Sequence, residues 1–149
     1  MTRQRAFWLS LAGSGLIVIG SLGPWAHTTV FDLSVSGIEG GGDGWITLVA
    51  GVTGAGVLLI IEKAGIKGES ALVVPALFGL VALGVIAYDA TNIFGTQSGG
   101  ADDFLGRVDL IKPGWGLYAV GLGGLALAVG SGLMARRSAA AGSGASAPS

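Results

Sequence analysis

The side chains suited to acid–base or ligand chemistry gather between the apolar stretches of this chain. They are His27, its single histidine, and the acids Asp43, Asp89, Asp102, Asp103 and Asp109. Asp43 in GGGDG and Asp102-Asp103 in GGADDF invite a calcium reading. Calcium takes six to eight oxygens, and the EF-hand spacing is missing, so no metal site is expected. His27 beside a carboxylate would form an acid–base pair, but no Ser or Lys stands in a nucleophile motif, and His27 reads as an exposed interfacial residue. GVTGAG, starting at Gly51, looks like a phosphate loop, yet it lies within an apolar stretch with no preceding strand and no Lys, which makes it helix packing. The 149 residues include no cysteine, which excludes disulfides, thiolate metal centres and thiol redox chemistry. One histidine also excludes bis-histidine haem ligation within the chain. The expectation is a protein that is not an enzyme and has no catalytic residues, cofactor or metal.

The elements that must hold these residues are four stretches free of Asp, Glu, Lys and Arg, at 6–23, 45–61, 71–88 and 115–135. At ~1.5 Å rise per residue each approaches the ~30 Å hydrocarbon thickness of a bilayer. None shows a polar face; 45–61 carries two threonines and 71–88 ends in its one polar side chain, Tyr88. Helices apolar all round belong in lipid. Charged residues are 11% of the chain, against ~25% in an average soluble domain. One all-α membrane domain, 1–137, is therefore expected, followed by a disordered tail at 138–149 that is small, polar and without apolar period. Net charge −1 and the lack of a basic run give no case for nucleic acid.

Six of the eight basic residues fall on one side of this layout: Arg3, Arg5, Lys63, Lys67, Arg136 and Arg137. By the positive-inside rule that side is the cytoplasm, so both termini are expected there and two acidic loops outside. The basic start and first apolar run also resemble a signal peptide. The run exceeds the usual 7–15-residue core, and the best cleavage match, Ser21-Leu22-Gly23, is followed by Pro24, so a retained span is expected.

Each outer loop ends in a Gly-Trp pair, Gly44-Trp45 and Gly114-Trp115, which gives the chain the look of two similar hairpins. Trp8, Trp25, Trp45 and Trp115 near span ends read as headgroup-level anchors. Alternation over 29–37 and again over 106–111 suggests two strands that pair above the membrane and bury Phe31, Leu33 and Val35 on one face. Trp25, Phe31, Asp43 and Trp115 are the candidate outer-loop interaction residues.

Small residues at four-residue spacing mark helix-packing ridges: Thr47, Gly51 and Ala55 in the second span, Gly124, Ala128 and Gly132 in the fourth. Leucine at Gly124 or Ala128 should then disturb the bundle more than Leu127→Ala. No span holds an ionisable side chain that would serve as a proton or substrate-coupling site, which argues against proton-coupled transport or voltage sensing. For an oligomeric pore the candidate polar lining is Ser10, Ser14, Thr47, Thr53 and Ser131.

Through Gly23-Pro24-Trp25, Ser36-Gly37, Gly42-Asp43-Gly44 with Thr47, and Pro113-Gly114-Trp115-Gly116-Leu117-Tyr118, the chain resembles a group of uncharacterised small bacterial four-span membrane proteins. The resemblance covers nearly the whole chain except its ends and implies the fold without an activity; the three glycines before Asp43 depart from the pattern. The layout is also similar to claudin-like tetraspans in topology, without their loop cysteines. The expectation is a four-helix bundle with a small outer β element in a bacterial cytoplasmic membrane, acting as an interaction, accessory or structural subunit. Its expected partners are the lipid bilayer and other membrane proteins or further copies of itself. A small oligomeric transport or channel component is the alternative, and an enzyme acting on lipid headgroups a third.

Overall fold

In hydrocarbon a backbone N–H or C=O has no water to bond, so each apolar stretch must satisfy its own backbone as a helix. The computed structural model describes residues 2–28, 33–39, 43–66, 69–98 and 111–143. In chain order its elements are α1 Arg3–Leu22, β1 Pro24–Thr28, β2 Leu33–Ser36, α2 Asp43–Lys63, α3 Glu69–Ser98, β3 Ile111–Pro113 and α4 Trp115–Ser143. All four helices are long and apolar enough to cross a membrane. The chain is a four-helix membrane bundle with a small sheet at one end.

Local chemistry sets several helix ends. Thr2 caps α1, its hydroxyl accepting from the Arg5 N–H at 3.3 Å. The α2 helix has Asp43 in its first turn and Lys63 in its last, each matched to the helix dipole. It stops at Gly65, whose φ of 62° is the left-handed conformation that closes a Schellman turn. There Gly65 N–H donates to Glu62 O and Ile66 N–H to Ile61 O.

Two helices outrun the apolar stretches. The α3 helix continues past Tyr88 to Ser98, because loss of apolar character marks the edge of the hydrocarbon and not the end of helical backbone. Residues 138–143, expected to belong to a disordered tail, are helical. Helix α4 carries through SAAAGS to Ser143, and alanine, the strongest helix former, explains the extension.

Consecutive helices pack side by side and α4 closes the ring against α1, the most extensive interface of the bundle. That interface has a seven-residue repeat of small residues on both sides. On α1 these are Ala6, Gly13 and Gly20; on α4 they are Gly116, Gly123 and Gly130. A Cβ on Gly13 would fall 2.6 Å from Gly123 O, one on Gly20 2.8 Å from Gly116 O, and one on Gly130 2.9 Å from Ala6 O. The pairs advance by seven residues in opposite directions, as antiparallel helices in a left-handed crossing require. The two backbones therefore touch directly along the membrane. Without a hydrophobic force between helices in lipid, such close contact is a principal source of association.

The ridges read at four-residue spacing have a secondary place. Gly51 packs on Ile17, and Gly124 with Ala128 packs on Gly79 of α3; Ala55 is only half-buried. Gly132 is a correction. A Cβ there would meet nothing within 4 Å, so it packs against no helix. The expected tolerance of Leu127→Ala is also reversed, because Leu127 is fully buried at the centre and reaches Gly54 of α2.

These contacts order a substitution series read by thermal unfolding in detergent. Gly13→Val and Gly123→Val should each cost about 1–3 kcal/mol or more by forcing the backbones apart. Leu127→Ala should cost about 2–5 kcal/mol through its cavity. Leucine at Gly15 or Gly56, where a Cβ meets nothing within 4 Å, should leave the melting temperature nearly unchanged. Equal tolerance at all five positions would refute the seam.

Candidate functional site

Above the seam the chain leaves α1 through Gly23 and enters β1 at once; Pro24, which has no N–H to contribute to a ladder, takes the first strand position. The sheet has the order β2-β1-β3 with both pairings antiparallel. The two-strand pairing expected between the loops is corrected. Both flanking strands bond to Pro24–Thr28 and not to each other. Val35 stands opposite Ala26 and is exposed at the surface, against the burial expected of it. Phe31 and residues 106–110 lie outside the described residues.

The register locates the cause of the sheet's placement. Pro24 pairs with Ser36 and Ala26 with Val35, so Trp25 is the extra residue of a β-bulge. A bulge re-aims its side chain. Trp25 is 7% exposed, and its indole N–H donates to Gly20 O at 2.9 Å, at the top of the α1–α4 seam. Trp25 is thus a buried peg, which corrects its reading as a headgroup anchor and as an outer interaction residue. Trp8, Trp45 and Trp115 do project outward, each more than half exposed.

Glycines make room around this peg. A Cβ on Gly37 would collide with the Trp25 indole, and one on Gly44 would collide with the Gly37 carbonyl. Gly37 N–H donates to Gly23 O at 3.2 Å, Gly44 N–H to Gly37 O at 3.1 Å, and Gly114 N–H to Trp25 O at 2.8 Å. The Trp115 ring covers Gly23, where a Cβ would lie 2.8 Å from it. Thr47 sits beneath this knot. Its hydroxyl lies 2.7 Å from that of Ser21, and the Ile17 and Gly44 carbonyls are their alternative acceptors at 2.7 and 3.0 Å.

The span hydroxyls considered as pore lining are placed elsewhere. Ser10, Ser14, Thr47 and Ser131 are fully buried inside one bundle, and Ser131 donates to Ser10, which donates to Ala6 O. Of that set only Thr53 is half-buried. Ser14 Oγ makes no hydrogen bond among the described residues.

Among the acids at the sheet end of the bundle, Asp43 at the start of α2 has the carboxyl of Asp89 on α3 beside it. Asp89 Oδ2 is buried without a hydrogen-bond partner among the described residues. Among the described residues no three His, Cys, Asp or Glu side chains come together; Asp102 and Asp103 lie outside the described residues. His27 sits in the middle strand, opposite Ser34 and Lys112. The arrangement joins sheet to bundle. Matched against known protein families, curated proteins and solved structures, the chain gives no match.

Sequence reasoning missed the middle strand, the bulge and the α1–α4 seam. The signal for the seam was present as glycines seven apart, while the bulge follows from tertiary packing of Trp25.

Paired cysteines test the strand order, since the native chain has none. Ala26→Cys with Val35→Cys should form a bridge under mild oxidation, as opposed residues on adjacent strands lie within the ~7 Å limit. Val35→Cys with Pro113→Cys, two strands apart at roughly 10 Å, should not. The opposite pattern would overturn the sheet.

Proposed function

We propose that this protein is an accessory or structural subunit of a bacterial cytoplasmic membrane, not an enzyme, with both termini cytoplasmic and the sheet outside. One observation carries the reading. Five of the span hydroxyls, Ser10, Ser14, Ser21, Thr47 and Ser131, are fully buried inside a single bundle, with helix backbones in direct contact beside them. The interior is occupied by Ile17, Leu58 and Leu127, which supports a scaffold over a conduit. Arg3 and Glu62 form an ion pair of 3.4 Å at the end of the bundle where the basic residues gather, as the proposed orientation requires. On this proposal the chain also belongs with the small bacterial four-span proteins that its motifs resemble. Their Pro-Trp, Ser-Gly and Pro-Gly-Trp elements coincide with the residues of the outer joint.

Purification in mild detergent tests the role. A stable heteromeric partner is the expected result; a symmetric homo-oligomer would favour the channel reading instead. A reporter fused after Arg137 should read cytoplasmic and one inserted at Ser98 external, and a reversed pair would overturn the orientation.

A further inference from the structure

The α3 and α4 backbones touch at Gly79 and Gly124. Between them opens a groove of about 460 Å³, walled by Ala76, Leu80 and Leu83 on α3 and by Leu125 and Gly132 on α4. Its walls are apolar, and the charged residue that lines it is Arg136. A second dent of about 360 Å³ continues outward from Leu83 and Leu125 past Gly121. Together they follow α4 from Leu117 to Arg136, which at ~1.5 Å per residue is roughly the thickness of the hydrocarbon. Small residues, Ala76, Ala128 and Gly132, stand among the leucines of its wall. Gly132, where a Cβ meets nothing within 4 Å, faces it.

We propose that this groove is a binding site for an anionic phospholipid, one acyl chain lying along Gly132 and the phosphate held by Arg136. The proposal rests on the membrane fold and the basic end of the bundle, and is independent of the accessory role. Arg136 forms no ion pair among the described residues, whereas Arg3 is matched by Glu62. A guanidinium at the mouth of an apolar groove complements a phosphate above an acyl chain, and Arg presents the planar fork that phosphate oxygens accept. Arg137 adds a second exposed cation beside it, which disfavours a headgroup bearing its own ammonium.

Two other occupants fit less well. A second copy docked groove to groove about an axis along the membrane normal would set one Arg136 against its twin. A partner helix would need a carboxylate at the level of Arg136 to avoid burying that charge unpaired.

Native mass spectrometry of the whole protein in mild detergent, offered equal phosphatidylglycerol and phosphatidylcholine, tests the site. The wild type should retain one phosphatidylglycerol, preferred by about fivefold or more over phosphatidylcholine, and added inorganic phosphate should not displace it. Gly132→Leu fills the groove and should abolish retention while the melting temperature holds. Arg136→Gln should still hold a chain but lose the preference between the two lipids. Gly56→Leu, equally open but on α2, should behave as wild type. Should Gly132→Leu fail to fold, the Arg136→Gln comparison decides alone. Equal retention of both lipids by the wild type, retention unchanged in Gly132→Leu, preference unchanged in Arg136→Gln, loss of retention in Gly56→Leu, displacement by inorganic phosphate, or a dimer free of lipid would each overturn the proposal.

Discussion

Direct contact between the backbones of α1 and α4 is the constraint on which the other features depend. Side chains normally keep helix axes apart; here Gly13 and Gly20 on one helix and Gly116, Gly123 and Gly130 on the other remove that separation. Closeness of this kind increases dispersion contact and brings Cα–H groups against carbonyl oxygens, weak terms that are repeated along the whole seam. The same repeat fixes register. A slip of one residue would put a side chain where a carbonyl now lies, so the relative height of the two helices is set as well as their distance.

Register at the seam positions the outer sheet. The last glycine pair, Gly20 with Gly116, lies just below the point where α1 gives way to β1 and β3 leads into α4. The central and flanking strands consequently start from two helices already held in contact. Trp25 locks that junction, because its bulge turns the indole down onto Gly20 O, while Gly37, Gly44 and Gly114 bring the remaining chain segments within hydrogen-bonding distance. Motif residues scattered over more than ninety positions of sequence thus meet in one joint. Glycine and tryptophan are needed there for steric reasons.

The four spans were legible in the sequence because exclusion of charge from hydrocarbon is a strong and local signal. The seam was less legible. Among 29 glycines many spacings occur, and the four-residue ridge through Gly124, Ala128 and Gly132 competed with the seven-residue one that carries the largest interface. Gly132 shows the limit of spacing alone, since it shares the ridge but faces a groove. Strand β1 was hidden for a different reason. Pro24-Trp25-Ala26-His27-Thr28 has no clean alternation, and the bulge at Trp25 breaks the period that would have revealed it. Helix length also escaped the reading, because Ala-rich sequence after Arg137 continues α4 although it lacks an apolar face.

The central claim is that the α1–α4 seam holds the outer sheet in place. Hydrogen exchange on the protein in bilayers, comparing wild type with Gly13→Ala, tests it most directly. Gly13 lies roughly 16 Å along α1 from the start of β1, too far to touch the sheet. The account predicts that the substitution raises exchange in α1 and α4 and, with them, at the amides of Ala26, His27 and Thr28. Faster exchange along the seam with full protection retained at those three amides would contradict it.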